Sequence, residues 1–294
     1  QPNVVLRPPN NALHSAPRPR YPAFDTCERT VMKPVTLNTL RELKTRGDTF
    51  SCLTAYDATF ARCADEAGIE VLLVGDSLGM VLQGHASTLP VTLDDLCYHT
   101  ACVARAKRQS LLMVDLPFMS NVDTAQLLRD AGTLMRAGAE MIKIEGEAWM
   151  AEGVNELHRR GVPVCAHLGL TPQSVHRFGG FKVQGRERDQ AQRIIHDAQC
   201  LVDAGAAVIL LECVPAELGK AVRDAVAAPV IGIGAGAEVD GQILVMHDVL
   251  GLNSGYVPRF VKNFLSGRDN ISDAFRAYHE AVKARTFPAE EHTF

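Results

Sequence analysis

The strongest constraint in this chain of 294 residues is a set of eight short, apolar runs, each separated from the next by a longer polar-and-apolar stretch. The runs fall at 50–56, 71–75, 111–115, 141–145, 162–168, 208–212, 230–235 and, least regularly, 242–247. Their hydrophobicity is continuous rather than alternating, which is the pattern of strands buried on both faces of a parallel sheet. The stretches between them carry helical periodicity; Leu127, Leu128, Ala131, Leu134 and Met135, for example, share one face. Eight strands alternating with helices predict a closed (β/α)8 TIM barrel with right-handed crossovers. The length suits that fold, which runs to about 250 residues before extensions.

A weak internal repeat supports the barrel. Ala67-Gly68, Ala137-Gly138 and Ala204-Gly205 each precede a strand that ends in an acid, at Asp76, Glu145 and Glu212; a variant runs from Gly161 to His167. Each glycine suits the left-handed residue that ends a helix. With Asp115, five consecutive strands therefore close on an ionisable side chain. In barrels the C-terminal rim is where active sites are built, because the βα loops converge there over a packed interior. A shared site is expected.

Lys143 lies two residues before Glu145 and so faces the same side of its strand. Pointing into the barrel mouth, it would find carboxylate partners and could meet an anionic substrate. Three acids on one rim repel one another unless a cation sits between them, and oxygen ligands favour a hard cation such as Mg2+. A small oxo acid chelated to such a cation has acidic hydrogens beside its carbonyl, so a nearby base could form an enolate. Glu212 fits as that base, because an apolar strand would raise its pKa. His167 is the alternative base, or else a hydrogen-bond donor to the substrate.

Bulk properties agree with a small-molecule enzyme. A net charge of −4 gives no pull toward nucleic acid or acidic membranes. Eight cysteines without a Cys-x-x-Cys pair read as free thiols in a reducing compartment, and a cytoplasmic location is expected. No apolar run reaches the ~18 residues of a membrane span, and no signal peptide is expected at the start. Residues 1–31 hold six prolines, scattered arginines and no apolar period. They read as a disordered extension, with Met32 as a natural start and 32–294 as one catalytic domain. The Gly232-x-Gly234-x-Gly236 run lacks dinucleotide spacing. In the run 177–188, Lys182 or Arg186 could meet an acidic tail of a co-substrate. Cys213, one residue past Glu212, should point away from the barrel axis by strand alternation.

The motifs carry a resemblance. Val74-Gly-Asp-Ser-Leu-Gly-Met80, Gln83-Gly-His85, Thr88-Leu-Pro-Val-Thr92, Asp115-Leu-Pro-Phe118 and Lys143-Ile-Glu-Gly146 resemble the ketopantoate hydroxymethyltransferase family. So do His167-Leu-Gly-Leu-Thr-Pro-Gln-Ser174, Gly179-Gly-Phe-Lys-Val-Gln-Gly185, Leu211-Glu-Cys-Val-Pro215, Ile231-Gly-Ile-Gly-Ala-Gly236, the run from Asp240 to Asp248, and Glu290-Glu-His-Thr-Phe294. The match spans Met32 to the C-terminus. It implies a barrel of the phosphoenolpyruvate/pyruvate superfamily type. The implied reaction adds a hydroxymethyl group from 5,10-methylenetetrahydrofolate to 3-methyl-2-oxobutanoate, giving 2-dehydropantoate in pantothenate biosynthesis. By motif, Asp76, Asp115 and Glu145 would ligate Mg2+. Asp76, Ser77, Asp115, Lys143 and His167 would contact substrate, and Glu212 would accept the proton. A homo-oligomer, a decamer in the family, is implied as well. One departure is Ala86, where the family usually carries Asp before Ser87-Thr88. The alternative is an isocitrate-lyase-like carbon–carbon lyase or a mutase acting on a small oxo acid, although the Lys-x-Cys-Gly-His-like loop of those enzymes is missing. A barrel that binds without catalysis is the other rival, against which the intact Asp76, Asp115, Lys143, Glu145 and Glu212 argue.

Overall fold

Residues 33–253 and 255–294 are described in the computed structural model; the extension expected over 1–31, and Met32, lie outside the described residues. Eight strands close into a barrel in sequential order. They are β1 (Phe50–Thr54), β2 (Val71–Val74), β3 (Leu111–Asp115), β4 (Met141–Glu145), β5 (Val164–Gly169), β6 (Val208–Glu212), β7 (Val230–Ile233) and β8 (Gly241–Leu244). Every neighbouring pair is parallel, including the seam between β1 and β8. The expected TIM barrel is present, and all eight predicted strands are in it.

Several strand bounds differ from the sequence reading by one to three residues; β5 runs from Val164 to Gly169 and β7 stops at Ile233, and two other ends bear on the site. The first stops at Thr54 rather than residue 56, and the last stops at Leu244. Met246–Val249 then turn into a short helix, whose entry is held by Met246 N–H donating to Thr54 Oγ1 at 2.9 Å. Apolar continuity alone could not separate that turn from the strand, because Val245, Met246 and Val249 are as apolar as the strand itself.

The repeat does what its sequence requires. Gly68, Gly138, Gly161 and Gly205 all adopt positive φ, at 95°, 121°, 78° and 111°, and each turns a helix end into the next strand. On helix Thr124–Ala137, Leu127, Ala131 and Leu134 are buried against the barrel, with Leu128 and Met135 half-buried beside them.

Acids at the N-terminal face are satisfied by the fold itself. Asp65 accepts from the backbone N–H groups of Arg108, Gln109 and Ser110 at 3.2, 2.9 and 2.7 Å, fixing the entry to β3. Asp240, almost fully buried, takes Val230 N–H at 2.9 Å and pairs with Lys44 and Arg223 at 3.1 and 2.9 Å. Burial works against Glu70, yet His279, Lys283 and the Ser51 N–H together hold its carboxyl below the ordinary value. Tyr278 Oη lies 2.9 Å from the carbonyls of Cys52 and Gln242 and so bridges the β1–β8 seam. The seven cysteines among the described residues are free thiols; Cys27 lies outside them. No helix among the described residues is long and apolar enough to cross a membrane.

Candidate active site

The C-terminal rim contrasts with that lower face. Asp76, Ser77, Asp115, Lys143, Glu145, His167 and Glu212 all line one cavity of about 480 Å3 at the mouth of the barrel. The sequence placed Asp76, Asp115, His167 and Glu212 on separate strand ends and Lys143 and Glu145 on the same face of one strand, and the family motif added Ser77 beside Asp76; the closed barrel brings them together.

Strand register explains the first contact. Asp115 stands beside Lys143 across the β3–β4 pair, and Lys143 Nζ meets Asp115 Oδ1 at 2.9 Å. Asp115 Oδ2 in turn accepts the Asp76 N–H at 2.9 Å. On the next strand, Lys143 Nζ stands 3.1 Å from His167 Nδ1. Burial works to neutralise Lys143, but Asp115, Glu145 and Asp76 outweigh it and raise its pKa, so the amine stays cationic.

The protonation of His167 follows from this arrangement. The ring is buried; burial first, and the Lys143 charge second, hold its pKa well below the ordinary value. A neutral ring facing a cationic donor must accept at Nδ1, which leaves the proton on Nε2. Nε2 points toward Glu212 Oε2 at 3.4 Å and has no closer hydrogen-bond partner.

The acids are destabilised as ions. Burial raises Asp76 to about 7, with the Asp115 charge adding to it and Lys143 opposing. Burial also raises Glu145, with Lys143 again opposing and Asp76 and Asp115 adding. Glu212 is pushed up to about 8, chiefly by burial in its apolar strand, as its sequence setting predicts. These are the shifts expected where several carboxylates share one low-dielectric site.

Gln173 is a site residue that the motif contained but to which the sequence reading gave no role. Its backbone N–H donates to Glu145 Oε2 at 2.9 Å. Its side-chain Nε2 donates to Asp76 Oδ2 and to the Leu116 carbonyl, both at 2.9 Å. It reaches them because Pro172 opens a short 3-10 turn that carries the chain back over the rim after β5. Tyr56, fully buried, bonds Ser77 Oγ at 2.9 Å. A Pro just past a strand end was the available signal for Gln173; nothing in the sequence pointed to Tyr56.

Cys213 corrects an expectation. It lines the cavity instead of facing away from it, because its φ of 48° takes it out of the strand's alternation. Burial, and then the neighbouring Glu212, push its thiol up, so it is not a ready nucleophile. Lys182 and Arg186 are exposed and do not line the cavity, whereas their neighbours Phe181 and Val183 do. Ala86 sits on an exposed loop, outside the cavity.

The family model described as ketopantoate hydroxymethyltransferase matches residues 34–290. The chain is 76% identical over 263 residues to the 3-methyl-2-oxobutanoate hydroxymethyltransferase of Chromohalobacter salexigens, an alignment that covers 90% of this chain and all of that one. Among solved structures, phosphonopyruvate hydrolase superposes with a TM-score of 0.57 at 14% identity, over 75% of this chain and 84% of the other. A 2,3-dimethylmalate lyase of the PEP mutase/isocitrate lyase superfamily gives a TM-score of 0.53 at 20% identity, over 72% and 81%. These two likenesses show a shared barrel fold.

Proposed function

The chain belongs to the ketopantoate hydroxymethyltransferase family, and from that we propose that it transfers a one-carbon unit from 5,10-methylenetetrahydrofolate to 3-methyl-2-oxobutanoate. The observation that carries the reading is the pairing of a raised carboxyl, Glu212, with a neutral His167 across a cavity anchored by a cationic lysine. Family membership favours this over the lyase or mutase alternative, whose structural relatives share only the fold.

The carboxylates of the barrel mouth form a donor set for a divalent cation. Among the described residues no group of three His, Cys, Asp or Glu side chains stands arranged to hold a metal ion by itself. Mg2+ does not demand one, since it usually takes one or two carboxylates and completes its shell with water and substrate. Asp76, Asp115 and Glu145 offer only oxygen, and Glu145 Oε1 is buried without a hydrogen-bond partner. That set suits a hard cation, and these three residues would hold it. When bound, Mg2+ would draw electron density from the keto group of the oxo acid and acidify its C3–H bond.

The chain's own residues supply the rest. Lys143, held cationic, attracts the substrate carboxylate, and Ser77, fixed by Tyr56, offers a hydroxyl beside it. Glu212 takes the proton as the C3–H bond breaks. His167 Nε2–H steadies the Glu212 carboxylate or donates to a substrate oxygen, so the donor role fits it better than that of base. C3 then bonds to the methylene carbon of the folate and water supplies the hydroxyl, while both bonds from that carbon to the folate nitrogens break; the proton taken from C3 and one from water end on those two nitrogens. The products are 2-dehydropantoate and tetrahydrofolate. The family resemblance alone supports a homo-oligomer, a decamer, and the free thiols support a reducing compartment such as the cytoplasm.

The test is formation of 2-dehydropantoate from the two substrates with and without Mg2+. Metal-dependent turnover is expected; a folded protein inactive with Mg2+ and Mn2+ would overturn the reading.

A further inference from the structure

The acids and Lys143 account for the deep half of the cavity. The outer half has a different character, and a small oxo acid cannot fill it. Its wall is apolar, formed by Val245, Phe260 and Phe294 on the β7 and β8 side, by Met80 after β2 and by Phe181 after β5. At the end of β7 the residue is Gly234, with φ 60°. A Cβ there would stand 2.9 Å from the Phe260 ring and 3.0 Å from the Phe294 ring. Only a residue without a side chain lets the two rings approach the backbone so closely.

Two charged groups interrupt this wall: Arg259, whose Nε–H donates to the Glu291 carbonyl at 3.0 Å, and one carboxylate. Asp248 follows β8, in the turn Met246–Val249, and lines the cavity half-buried. Burial raises its pKa, and the Asn253 side chain, by hydrogen bonding, is what offsets that burial among the described residues. A carboxylate in an apolar wall with so little compensation calls for donors from whatever fills the space.

The oxo acid cannot supply them. It is an anion without N–H groups, and Asp248 would repel it. A reduced pterin can. Its N3–H and 2-amino groups form an edge of two parallel donors that matches a carboxylate, as a guanidinium does. Its flat faces suit a pocket of phenyl rings.

We propose that the outer half of the cavity is the pterin subsite, in which Asp248 accepts the N3–H and 2-amino edge while Phe260 and Phe294 pack on the ring. This rests on the transferase reading above, whose co-substrate it locates. The methylene carbon would then enter from the β7–β8 side, over a C3 held near Glu212 on β6. Asp248 thereby sets which one-carbon carrier is accepted and takes no part in breaking the C3–H bond.

The test separates the two halves. In Asp248→Asn the KM for 5,10-methylenetetrahydrofolate should rise about tenfold or more, as expected for a lost bond to a charged acceptor. Hydrogen exchange at C3 of 3-methyl-2-oxobutanoate, run with Mg2+ and no folate, should keep its wild-type rate. A second measurement uses the unaltered protein: tetrahydrofolate should bind about tenfold or more tightly than its 2-desamino analogue. That preference should vanish in Asp248→Asn. An unchanged KM, equal binding of the two pterins by the wild type, or loss of exchange together with folate affinity would each overturn the subsite. A wild-type protein with neither exchange nor turnover would overturn instead the transferase reading on which it stands.

Discussion

Glu212 and His167 illustrate how burial sets chemical roles. The same apolar surroundings raise the carboxyl to about 8 and keep the imidazole neutral, so one group is ready to take a proton and the other to donate a hydrogen bond. A base works only when deprotonated. At low Mg2+ the rate of C3 exchange should therefore fall as pH drops below about 8, a limb well above the ordinary carboxylate range. A pH profile of kcat/KM checks this; a limb that ends near 4 even at low Mg2+ would speak against Glu212. Asp115 touches both Lys143 and the Asp76 backbone. Asp115→Ala should weaken Mg2+ binding at least about tenfold, read by calorimetry without turnover, since it removes one charged ligand and disturbs a second. Unchanged affinity would remove Asp115 from the ligand set.

At the scale of elements, position along a strand decides what an acid does. Asp65 and Asp240, at the N-terminal face, have their oxygens taken by backbone N–H groups and cations. Those at the C-terminal ends of β2, β3, β4 and β6 gather in a cavity instead. Asp65→Ala should cost about 3 kcal/mol or more in chemical denaturation, because three N–H donors lose a charged acceptor. The kcat of the molecules that remain folded should not change. This division was legible in the sequence. Continuous apolar runs gave the strands, Ala-Gly pairs gave their starts, and the acids marked their ends. Features set by the path of a loop were not legible. Gln173 ties Asp76 to Glu145 only because the turn after β5 doubles back over the rim. Cys213 leaves the strand's alternation through one left-handed residue. Asp248 reaches the cavity because β8 ends sooner than its apolar sequence suggests.

For the whole molecule, an assembled site opposes stability. Asp76 and Glu212 carry folded pKa values of about 7 and about 8, against ordinary values of 3.8 and 4.5. Groups raised on folding support the fold while protonated. Their contribution is present below the ordinary values and is lost as pH climbs through the folded ones. The metal-free protein should thus lose stability between about pH 4 and pH 8, as far as these groups decide it. Asp76→Asn should raise the Tm of the metal-free protein at pH 8 and not at pH 4. Added Mg2+ should raise the wild-type Tm more at pH 8 than at pH 5. A Tm indifferent to Mg2+ at pH 8 would contradict the cation reading. This is the familiar trade in which a functional site is held at the expense of the fold around it.

The central claim is that the barrel mouth activates C3 of 3-methyl-2-oxobutanoate with Glu212 as base. Nuclear magnetic resonance of that substrate in D2O, with Mg2+ and no folate, tests it most directly. The C3 proton signal should disappear with the wild-type protein and persist with Glu212→Gln, while the variant still binds Mg2+ and substrate. A folded wild type that leaves the signal intact, or a Gln variant that erases it at the wild-type rate, would contradict the account.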